Sequence, residues 1–297
     1  MNEFGKNLHM YAAYFGLKEN PFSLSPDARY LYLSEQHRDA LNCLLYGIKE
    51  KKGFVLLSGD IGMGKTTICR SLLGSLDHSV ETALIFNTAI SDMDLLETVL
   101  GEYGLNLQGE SKTKKNYIDI LNHFLLRNFA AGKTAVLLID EAQNLSHEVL
   151  EQIRMLSNLE TETDKLLQII LIGQPEINKH LLLPALRQLN ERITVRYHLK
   201  PLSPPEVRDY IRHRLTVASG PGPLQFTRGA LGLIYSFSEG IPRRINALCD
   251  RALLIAYTKN ISKINRKIIR LAAHDIGTDY FQKTMSIGRK ILARLTT

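Results

Sequence analysis

One nine-residue stretch constrains the fold more than any other, because it matches the pattern G-x-x-x-x-G-K-[ST] between two different hydrophobic patterns. It consists of Gly59, Asp60, Ile61, Gly62, Met63, Gly64, Lys65, Thr66 and Thr67. The residues before it, 54–57, form a short apolar run that predicts a buried strand. The residues after it, from about 65 to 76, have helical periodicity. A pattern this loose occurs by chance, but a preceding strand and a following helix are the context that a phosphate-binding loop requires.

Each residue type in this stretch suits the binding of ATP with Mg²⁺. Glycines let successive backbone N–H groups turn inward around a phosphate. Lys65 is expected to reach the β- and γ-phosphates, and the Thr66 hydroxyl is expected to ligate Mg²⁺. The helix that follows presents its positive N-terminal end to the same phosphates. The sequence therefore predicts a nucleotide site with ATP and Mg²⁺ as its cofactors.

A second motif is an apolar strand that ends in two adjacent carboxylates. The strand covers 135–139, and the carboxylates belong to Asp140 and Glu141. Because neighbouring side chains on a strand point in different directions, one carboxylate can act on the metal while the other faces the attacking water. Asp140 is the predicted Mg²⁺ ligand, and Glu141 is the predicted group that polarises the water. The alternative is a helix N-terminal charge pair, which a sequence separation of about 75 residues from the phosphate loop disfavours.

Polar side chains also mark the last two strands of this region. Gln174 follows an apolar strand over 167–173, where it could contact the γ-phosphate or the water. Further on, a helix that carries Arg187 and Arg192 runs into the last strand, which contains Arg196. An arginine here could serve as a finger that reaches the nucleotide of a neighbouring subunit, with Arg192 as the first candidate and Arg187 as the second. Alternatively, all three arginines are simply solvent-exposed charges on this element.

Composition excludes several classes of protein. The chain has 297 residues, 44% of them apolar, which is ordinary for a soluble globular protein of one or two domains. No run approaches the roughly 18 apolar residues that cross a bilayer, and residues 1–10 lack the apolar core of a signal peptide. A cytoplasmic location without a transmembrane segment is therefore expected. Cys43, Cys69 and Cys249 lie far apart in helical patterns, so they indicate neither a disulfide framework nor a metal site.

The pattern of the chain changes after residue 200. Ser203 and Glu206 have the spacing of a capping box, and Pro204 and Pro205 suit the first turn of a helix. Strands disappear from this point, and helices are predicted at 204–218, 227–238, 242–258 and 264–274. The helix at 242 begins with two arginines, a charge that its dipole does not favour there. Folding this region back over the nucleotide would put Arg243 against the phosphates.

Residues 1–53 are predicted to form a lead-in segment. Residues 14–22 are aromatic and interrupted by proline, and a helix capped by Ser34 follows them. Because this segment directly precedes the phosphate loop, its side chains could form an adenine slot, with Phe22, His37 and Tyr46 as candidates. Plain core packing is equally compatible with each of these residues.

The net charge of +7 is concentrated near the C-terminal end. From residue 263 onward, eight Lys or Arg stand against two Asp. Residues 276–297 form a predicted basic amphipathic tail, with Lys283, Lys290 and Arg294 roughly opposite an apolar face. Gly288 weakens this helix by about 1 kcal/mol relative to alanine. The tail, through 280–297, suits an anionic membrane surface, a groove on a partner or DNA phosphates, or it is a terminal helix without a ligand.

Taken together, these motifs resemble the AAA+ ATPase module. Four longer segments, at 15–22, 138–145, 171–176 and 240–246, are similar to ATPases of the general secretion pathway protein A type, the ExeA-like family. The resemblance extends over about 11–275. It implies an α/β fold of the P-loop NTPase class, a three-layer αβα core with a five-stranded parallel sheet over 54–200. An α-helical lid over 201–275 would follow this core.

The resemblance also implies roles for individual residues. It makes Lys65 and Thr66 the Walker A pair, Asp140 and Glu141 the Walker B pair, Gln174 sensor 1, Arg192 the arginine finger and Arg243 sensor 2. ATP would then be hydrolysed between the subunits of a homo-oligomer, a ring or a filament, and the nucleotide state would control assembly. The preferred interpretation is an ATPase of a secretion or envelope system that is cytoplasmic and peripheral to the inner membrane.

The same module is also similar to transposition regulators such as the Mu B, IstB-like and TniB-like ATPases. Those proteins form ATP-dependent assemblies on DNA and engage a transposase. A DNA-binding transposition regulator, which selects a target and forms filaments, is therefore the alternative interpretation. A nucleotide-binding switch with negligible hydrolysis is a third.

Overall fold

A computed structural model describes residues 10–277 except 26, 87, 108–110 and 220–223. Contacts between residues divide the described chain into two units. The sheet unit consists of 35–61 and 65–200, and the helical unit consists of 10–34, 62–64 and 201–277. The tail predicted from residue 276 onward lies almost entirely outside the described residues. No helix in the described ranges combines the length and apolar character that crossing a membrane requires.

The helices are numbered in chain order. They are α1 (Met10–Tyr14), α2 (Glu35–Lys49), α3 (Lys65–Ser75), α4 (Asp92–Glu102), α5 (Lys114–Ala130), α6 (His147–Leu156), α7 (Glu176–Leu181), α8 (Arg187–Arg192), α9 (Pro204–Ser219), α10 (Arg228–Ser238), α11 (Pro242–Thr258) and α12 (Arg266–Ile276). Several begin at a side chain that accepts a hydrogen bond from the first turn. Ser91 and Asp94 form a complete capping box at α4, and Ser146 caps α6.

The sheet unit is built on five parallel strands. They are β1 (Phe54–Gly59), β2 (Val80–Ile85), β3 (Thr134–Ile139), β4 (Leu167–Gly173) and β5 (Ile193–Leu199). Their order across the sheet is β2-β3-β4-β1-β5, and every neighbouring pair is parallel. The expected five-stranded parallel sheet of a P-loop NTPase, with helices around it, is confirmed.

Burial explains which strands lie in the middle of the sheet. Every residue of β1 and β4 is buried, and so is every residue of β3 except the first, as expected for strands covered on both faces. The edge strand β5 instead alternates exposed and partly buried residues along most of its length. The central strands therefore read as continuous apolar runs in the sequence.

The register of the sheet brings the ends of its central strands to one edge. Ser58 at the end of β1 pairs with Gly173 at the end of β4, and Ile139 of β3 pairs with Leu171 of β4. Parallel strands present their carboxyl ends at the same edge of the sheet, which is where α/β proteins bind ligands. The phosphate loop, the acidic pair and Gln174 each follow one of these three strands.

The helical unit joins the first described residues to the C-terminal helices. Its core contains Phe15 and Phe22 from the N-terminal segment, together with apolar side chains of α9 to α12. Tyr11 and Asn20 both donate hydrogen bonds to Asp250 on α11. Within the described part of the predicted lead-in segment, aromatic residues pack with the helical unit, while α2 belongs to the sheet unit.

Arg214 on α9 also binds the N-terminal segment to the helices of this unit. Its side chain is buried, and its guanidinium donates to the carbonyl of Pro21 at 2.5 Å and to the hydroxyl of Tyr210 at 3.0 Å. The guanidinium also lies 4.7 Å from the centre of the Tyr30 ring, within the range of a cation–π contact. A buried cation is therefore satisfied by a backbone carbonyl, a hydroxyl and a ring.

The prediction that strands disappear after residue 200 is wrong. Two short strands, β6 (Gln225–Phe226) and β7 (Lys263–Ile264), pair in parallel within the helical unit. Each is followed by a residue whose side chain caps a helix, Thr227 for α10 and Asn265 for α12. Two residues are too few to show the alternation by which strands are recognised, so the sequence gives no signal for this pair.

Candidate functional site

The loop between β1 and α3 has the backbone that its glycines predict. Gly62 has a φ of 81° and Gly64 a φ of 94°, values that glycine adopts without the strain that a side chain brings. The eleven-residue helix α3 begins at Lys65, immediately after the loop. A turn of this kind before a helix N-terminus forms an anion-binding concavity of backbone amides and helix dipole.

The residues of this loop differ in their exposure to solvent. Three of its residues are buried, namely Gly59, Met63 and Lys65. Two are exposed, Asp60 and Ile61, and the others are partly buried, namely Gly62, Gly64, Thr66 and Thr67. The ammonium of Lys65 donates to the carbonyl of Gly59 at 2.7 Å and to that of Asp60 at 3.1 Å. Burial lowers the pKa of Lys65, and the nearby charges of Glu141 and Asp140 oppose this shift. A buried cation at the base of the loop therefore lies in the field of the two strand-end carboxylates.

The structure joins the phosphate loop to the acidic pair, which lies 74 residues further along the chain. The hydroxyl of Thr66 donates to one oxygen of Asp140 at 2.9 Å. The other oxygen of Asp140 accepts the backbone N–H of Glu141 at 2.9 Å, and the Asp140 side chain is buried. The two predicted Mg²⁺ ligands are thus in direct contact.

Glu141 occupies a turn with an unusual backbone. Its φ of 53° and ψ of 36° lie in the left-handed region, which costs a non-glycine residue on the order of 1 kcal/mol. It precedes a short 3₁₀ segment over 142–144, and its carboxylate makes no capping hydrogen bond to that segment. Glu141 thus occupies the N-terminal position of this short segment without capping it, and its catalytic role stays a prediction. One Glu141 oxygen instead accepts the side-chain amide of Gln174 at 3.2 Å.

Gln143 completes this group of polar side chains, and sequence reasoning missed it. Its side-chain N–H donates to the Glu141 carboxylate at 2.6 Å, and its side-chain oxygen accepts the backbone N–H of Gln174 at 2.8 Å. Gln143 is only 9% exposed. It stands two residues after the acidic pair, and no spacing or periodicity in the sequence distinguishes it from a polar residue of a surface turn.

The three arginines around α8 are each held by their own chain. Arg187 is largely exposed and pairs with Glu191 at 2.9 Å. The guanidinium of Arg192 donates to the hydroxyl of Ser157 at 2.5 Å. Arg196 donates to the side chain of Asn190 at 2.7 Å. Among the described residues, neither Arg187 nor Arg192 bonds to the phosphate loop or the acidic pair, so the finger role stays a prediction.

The backbone of Arg243 bonds to Gly62, which belongs to the same unit. Contacts assign Gly62 to the helical unit, and there the N–H of Arg243 donates to the carbonyl of Gly62 at 3.2 Å. Gly240 turns the chain into this region with a φ of 78°, and a Cβ on it would lie 2.1 Å from the carbonyl oxygen of Leu202. Only glycine therefore fits at the turn that precedes α11.

The candidates for an adenine slot have different surroundings. Phe22 is only 1% exposed, and its ring packs edge to face against Phe226 in the core of the helical unit. His37 is buried on α2 of the sheet unit. Tyr46 is 52% exposed on the same helix. The burial of Phe22 favours core packing, which the sequence had left equally open, and the slot stays a prediction.

Fold, loop and acidic pair together define the class of this protein. Residues 48–181 match the family described as AAA domain, and the chain is an AAA+ P-loop ATPase in fold. General secretion pathway protein A from Aeromonas hydrophila is 48% identical over 267 residues. The resemblance to the ExeA-like ATPases that the sequence motifs indicate is therefore confirmed. The match covers 90% of this chain and 48% of that protein, so the chain spans about half the length of its relative.

Solved structures support the same fold. Cdc6p from Pyrobaculum aerophilum has a TM-score of 0.65 at 15% identity, with 84% of this chain and 71% of that chain covered. The ADP form of the Aeropyrum pernix ORC2 protein has a TM-score of 0.63 at 15% identity, with coverages of 87% and 73%. At this identity the likeness concerns the fold alone.

Proposed function

We propose that this chain binds and hydrolyses ATP with Mg²⁺ between the subunits of a homo-oligomer, and that its nucleotide state controls assembly. The 2.9 Å hydrogen bond between Thr66 and Asp140 carries the proposal. It brings a hydroxyl at the start of α3 to a carboxylate at the end of β3, and Lys65 is buried beside them. A phosphate loop and an acidic strand end that meet in this way suit a triphosphate with its metal.

The donor set around Thr66 fits Mg²⁺. Mg²⁺ is usually held by one or two carboxylates together with phosphate oxygens and waters, not by a cage of protein ligands. The described residues contain no cluster of three or more His, Cys, Asp or Glu that could hold a metal, while Thr66 and Asp140 offer one hydroxyl and one carboxylate. When bound, Mg²⁺ would neutralise negative charge on the β- and γ-phosphates.

The remaining side chains divide the work of hydrolysis. Lys65 binds phosphate oxygens, and Glu141 orients and polarises the attacking water. Gln174 contacts the γ-phosphate from the end of β4, where its side-chain amide already donates a hydrogen bond to Glu141. Arg243, whose backbone contacts Gly62, would act from the helical unit, and Arg192 would act in the neighbouring subunit.

We infer a role in a secretion or envelope system, at the cytoplasmic side of the inner membrane. The name of the Aeromonas relative, general secretion pathway protein A, and its 48% identity support this inference. The match covers 48% of that relative. This chain would supply the nucleotide-driven step, and a protein partner would be its target.

Replacing Lys65 by Ala tests nucleotide binding. The substitution removes a charged hydrogen-bond donor, and we expect ATP affinity to fall about ten- to a hundredfold, as loss of such a bond implies. Titration with a fluorescent ATP analogue in Mg²⁺ buffer measures the affinity. Lys133→Ala is the matched control, because Lys133 lies before β3 and pairs with Glu81 at 2.7 Å. Equal affinities for both variants would contradict the proposal.

A second candidate function is DNA binding, and one observation favours it. Four cations are exposed, Lys263 on β7 and Arg266, Lys267 and Arg270 on α12. Residues 251–274 contain no Asp or Glu. The next carboxylate, that of Asp275, pairs with Arg251 at 2.8 Å. Within the described residues these four cations form no ion pair with a carboxylate. An unneutralised basic face suits a row of phosphates.

Salt dependence tests this candidate. If the four cations contact DNA phosphates, we expect the logarithm of the binding constant to fall with the logarithm of salt concentration with a slope of about −3 to −4. Replacing Arg266 and Arg270 by Ala should reduce the slope by about 2. Lys112→Ala with Lys114→Ala is the control, because both lysines pair with carboxylates of the sheet unit. If DNA binding is undetectable or independent of salt, the DNA-binding candidate is contradicted and only the envelope function remains.

A further inference from the structure

We propose that Gln143 is a positioning residue, which fixes the Glu141 carboxylate against the end of β4 so that it can orient the attacking water. This inference rests on the proposed ATP hydrolysis and adds a residue to it. Gln143 lies on the turn after β3, and Gln174 lies after the neighbouring strand β4. Its side chain therefore links the two strand ends that carry Glu141 and Gln174.

Both halves of the Gln143 amide are used, and in opposite senses. Its N–H donates to Glu141 at 2.6 Å, and its oxygen accepts the backbone N–H of Gln174 at 2.8 Å. A carboxylate at this position could accept but not donate, and an apolar side chain could do neither. Because the amide is nearly buried, leaving either partner unpaired would be costly. The site therefore requires a side chain that donates one hydrogen bond and accepts another, as the Gln143 amide does.

The pattern of bonds on Glu141 leaves one of its oxygens outside the network. Gln143 and Gln174 both donate to the same oxygen, Oε2, at 2.6 and 3.2 Å. Neither donates to Oε1. Two donors on one oxygen fix the rotation of the carboxylate while the other oxygen keeps its capacity to accept a proton from water. This arrangement is the one expected for a carboxylate that orients a nucleophilic water.

Two backbone features make room for Gln143. The left-handed conformation of Glu141 turns the chain so that a side chain two residues later returns to the Glu141 carboxylate. Gly173, the last residue of β4, faces the Gln143 amide, and a Cβ there would lie 3.0 Å from its oxygen. A strained turn and a glycine at a close approach both accommodate the same amide.

A purely structural role is the competing explanation, and Gln168 shows what that role looks like. Gln168 lies near the start of β4, is only 1% exposed, and also uses both halves of its amide. Its oxygen accepts the N–H of Gly53 at 2.8 Å, and its N–H donates to the carbonyl of Lys165 at 3.1 Å. Gln168 bonds only to backbone, whereas Gln143 bonds to the carboxylate proposed to act on water. Gln168→Ala is therefore the matched control.

The first experiment compares Gln143→Ala with Gln168→Ala in steady-state ATP hydrolysis by the full chain. Misplacing a reacting group typically costs about ten- to a hundredfold, and we expect Gln143→Ala to lower kcat by this factor while KM for ATP stays within about twofold. Gln168→Ala should lower thermal stability and leave kcat of the folded protein nearly unchanged. If both variants lose the same fraction of kcat, the loss is one of folding and the inference is overturned.

Gln143→Glu separates the two hydrogen bonds. The introduced carboxylate still accepts the Gln174 N–H, but in mildly alkaline buffer it repels Glu141. Hydrogen exchange of the backbone N–H of Gln174, measured without nucleotide, should therefore accelerate in Gln143→Ala and stay slow in Gln143→Glu. In contrast, kcat should fall in both variants. Unchanged exchange in Gln143→Ala, or full activity of Gln143→Glu, would overturn the inference.

A double-mutant cycle with Glu141→Gln shows whether Gln143 acts through Glu141. If it does, Gln143→Ala should have little further effect on the residual single-turnover rate once Glu141 is changed. Additive losses would overturn the inference. Wild-type protein that hydrolyses no ATP would refute the proposed function and the catalytic part of this inference together. The exchange of the Gln174 amide still judges the positioning contact separately, because it requires no turnover.

Discussion

Replacing Glu141 by Gln is expected to lower kcat for ATP hydrolysis by about a hundred- to ten-thousandfold, the range for loss of a positioned general base. The substitution keeps the size of the side chain but replaces a carboxylate that can take a proton with an amide that cannot. Lys65, Thr66 and Asp140 are unchanged, so ATP should still bind with nearly wild-type affinity. Phosphate release measures turnover, and titration with a fluorescent ATP analogue measures binding.

The neighbouring segment offers a control for this substitution. Glu148 is exposed in the first turn of α6, and its side chain bonds to Ser146, which lowers its pKa. Glu148→Gln therefore removes a carboxylate close in sequence to Glu141 but outside the polar group at the strand ends, and turnover should stay at the wild-type rate. Unchanged turnover in Glu141→Gln would remove Glu141 from its assigned role. Loss of ATP binding in that variant would instead make Glu141 part of the nucleotide-binding surface.

The sequence predicts the centre of this site because the chemistry there depends on local patterns. The phosphate loop needs glycines at fixed positions, and buried parallel strands need continuous apolar runs that end in polar residues. Once these strands are recognised, sheet topology alone places Asp140 and Gln174 at the same edge. The hydrogen bonds from Thr66 to Asp140 and from Gln174 to Glu141 follow from that geometry.

Gln143 could not be predicted in the same way. Its contact with the Gln174 backbone depends on the left-handed turn at Glu141 and on the absence of a side chain at Gly173. Neither feature has a signal in the sequence, because glutamate rarely adopts positive φ and a single strand-end glycine has many explanations. Residues that orient others depend on the tertiary structure and not on a motif.

The helical unit shows the same limit at a larger scale. The sequence predicts its helices α9 to α12 within two residues of their observed ends, since helical periodicity is local. The sequence does not predict that the N-terminal segment packs against this unit. That packing depends on contacts such as those of Tyr11 with Asp250 and of Arg214 with Pro21, which join residues more than 190 positions apart. Aromatic content predicted that the segment is packed, but not against which element.

Replacing Arg192 by Ala is expected to lower kcat for ATP hydrolysis by about a thousandfold if Arg192 stabilises charge on a neighbouring subunit's phosphates. Because the arginine of one subunit would act on the Glu141 of another, the two defective variants should complement each other. A mixture of Arg192→Ala with Glu141→Gln should recover part of the activity, since some interfaces then pair an intact Arg192 with an intact Glu141. Phosphate release by each variant alone and by the mixture measures the recovery.

The hydrogen bond from Arg192 to Ser157 defines the competing explanation and its control. If Arg192 only stabilises its own chain, Ser157→Ala removes the same 2.5 Å bond and should reproduce the loss of activity and of thermal stability seen in Arg192→Ala. A finger must leave Ser157 to reach another subunit, so Ser157→Ala should then retain activity or increase it. Absence of recovery in the mixture, together with equal losses in Ser157→Ala and Arg192→Ala, would place Arg192 within the framework of its own subunit.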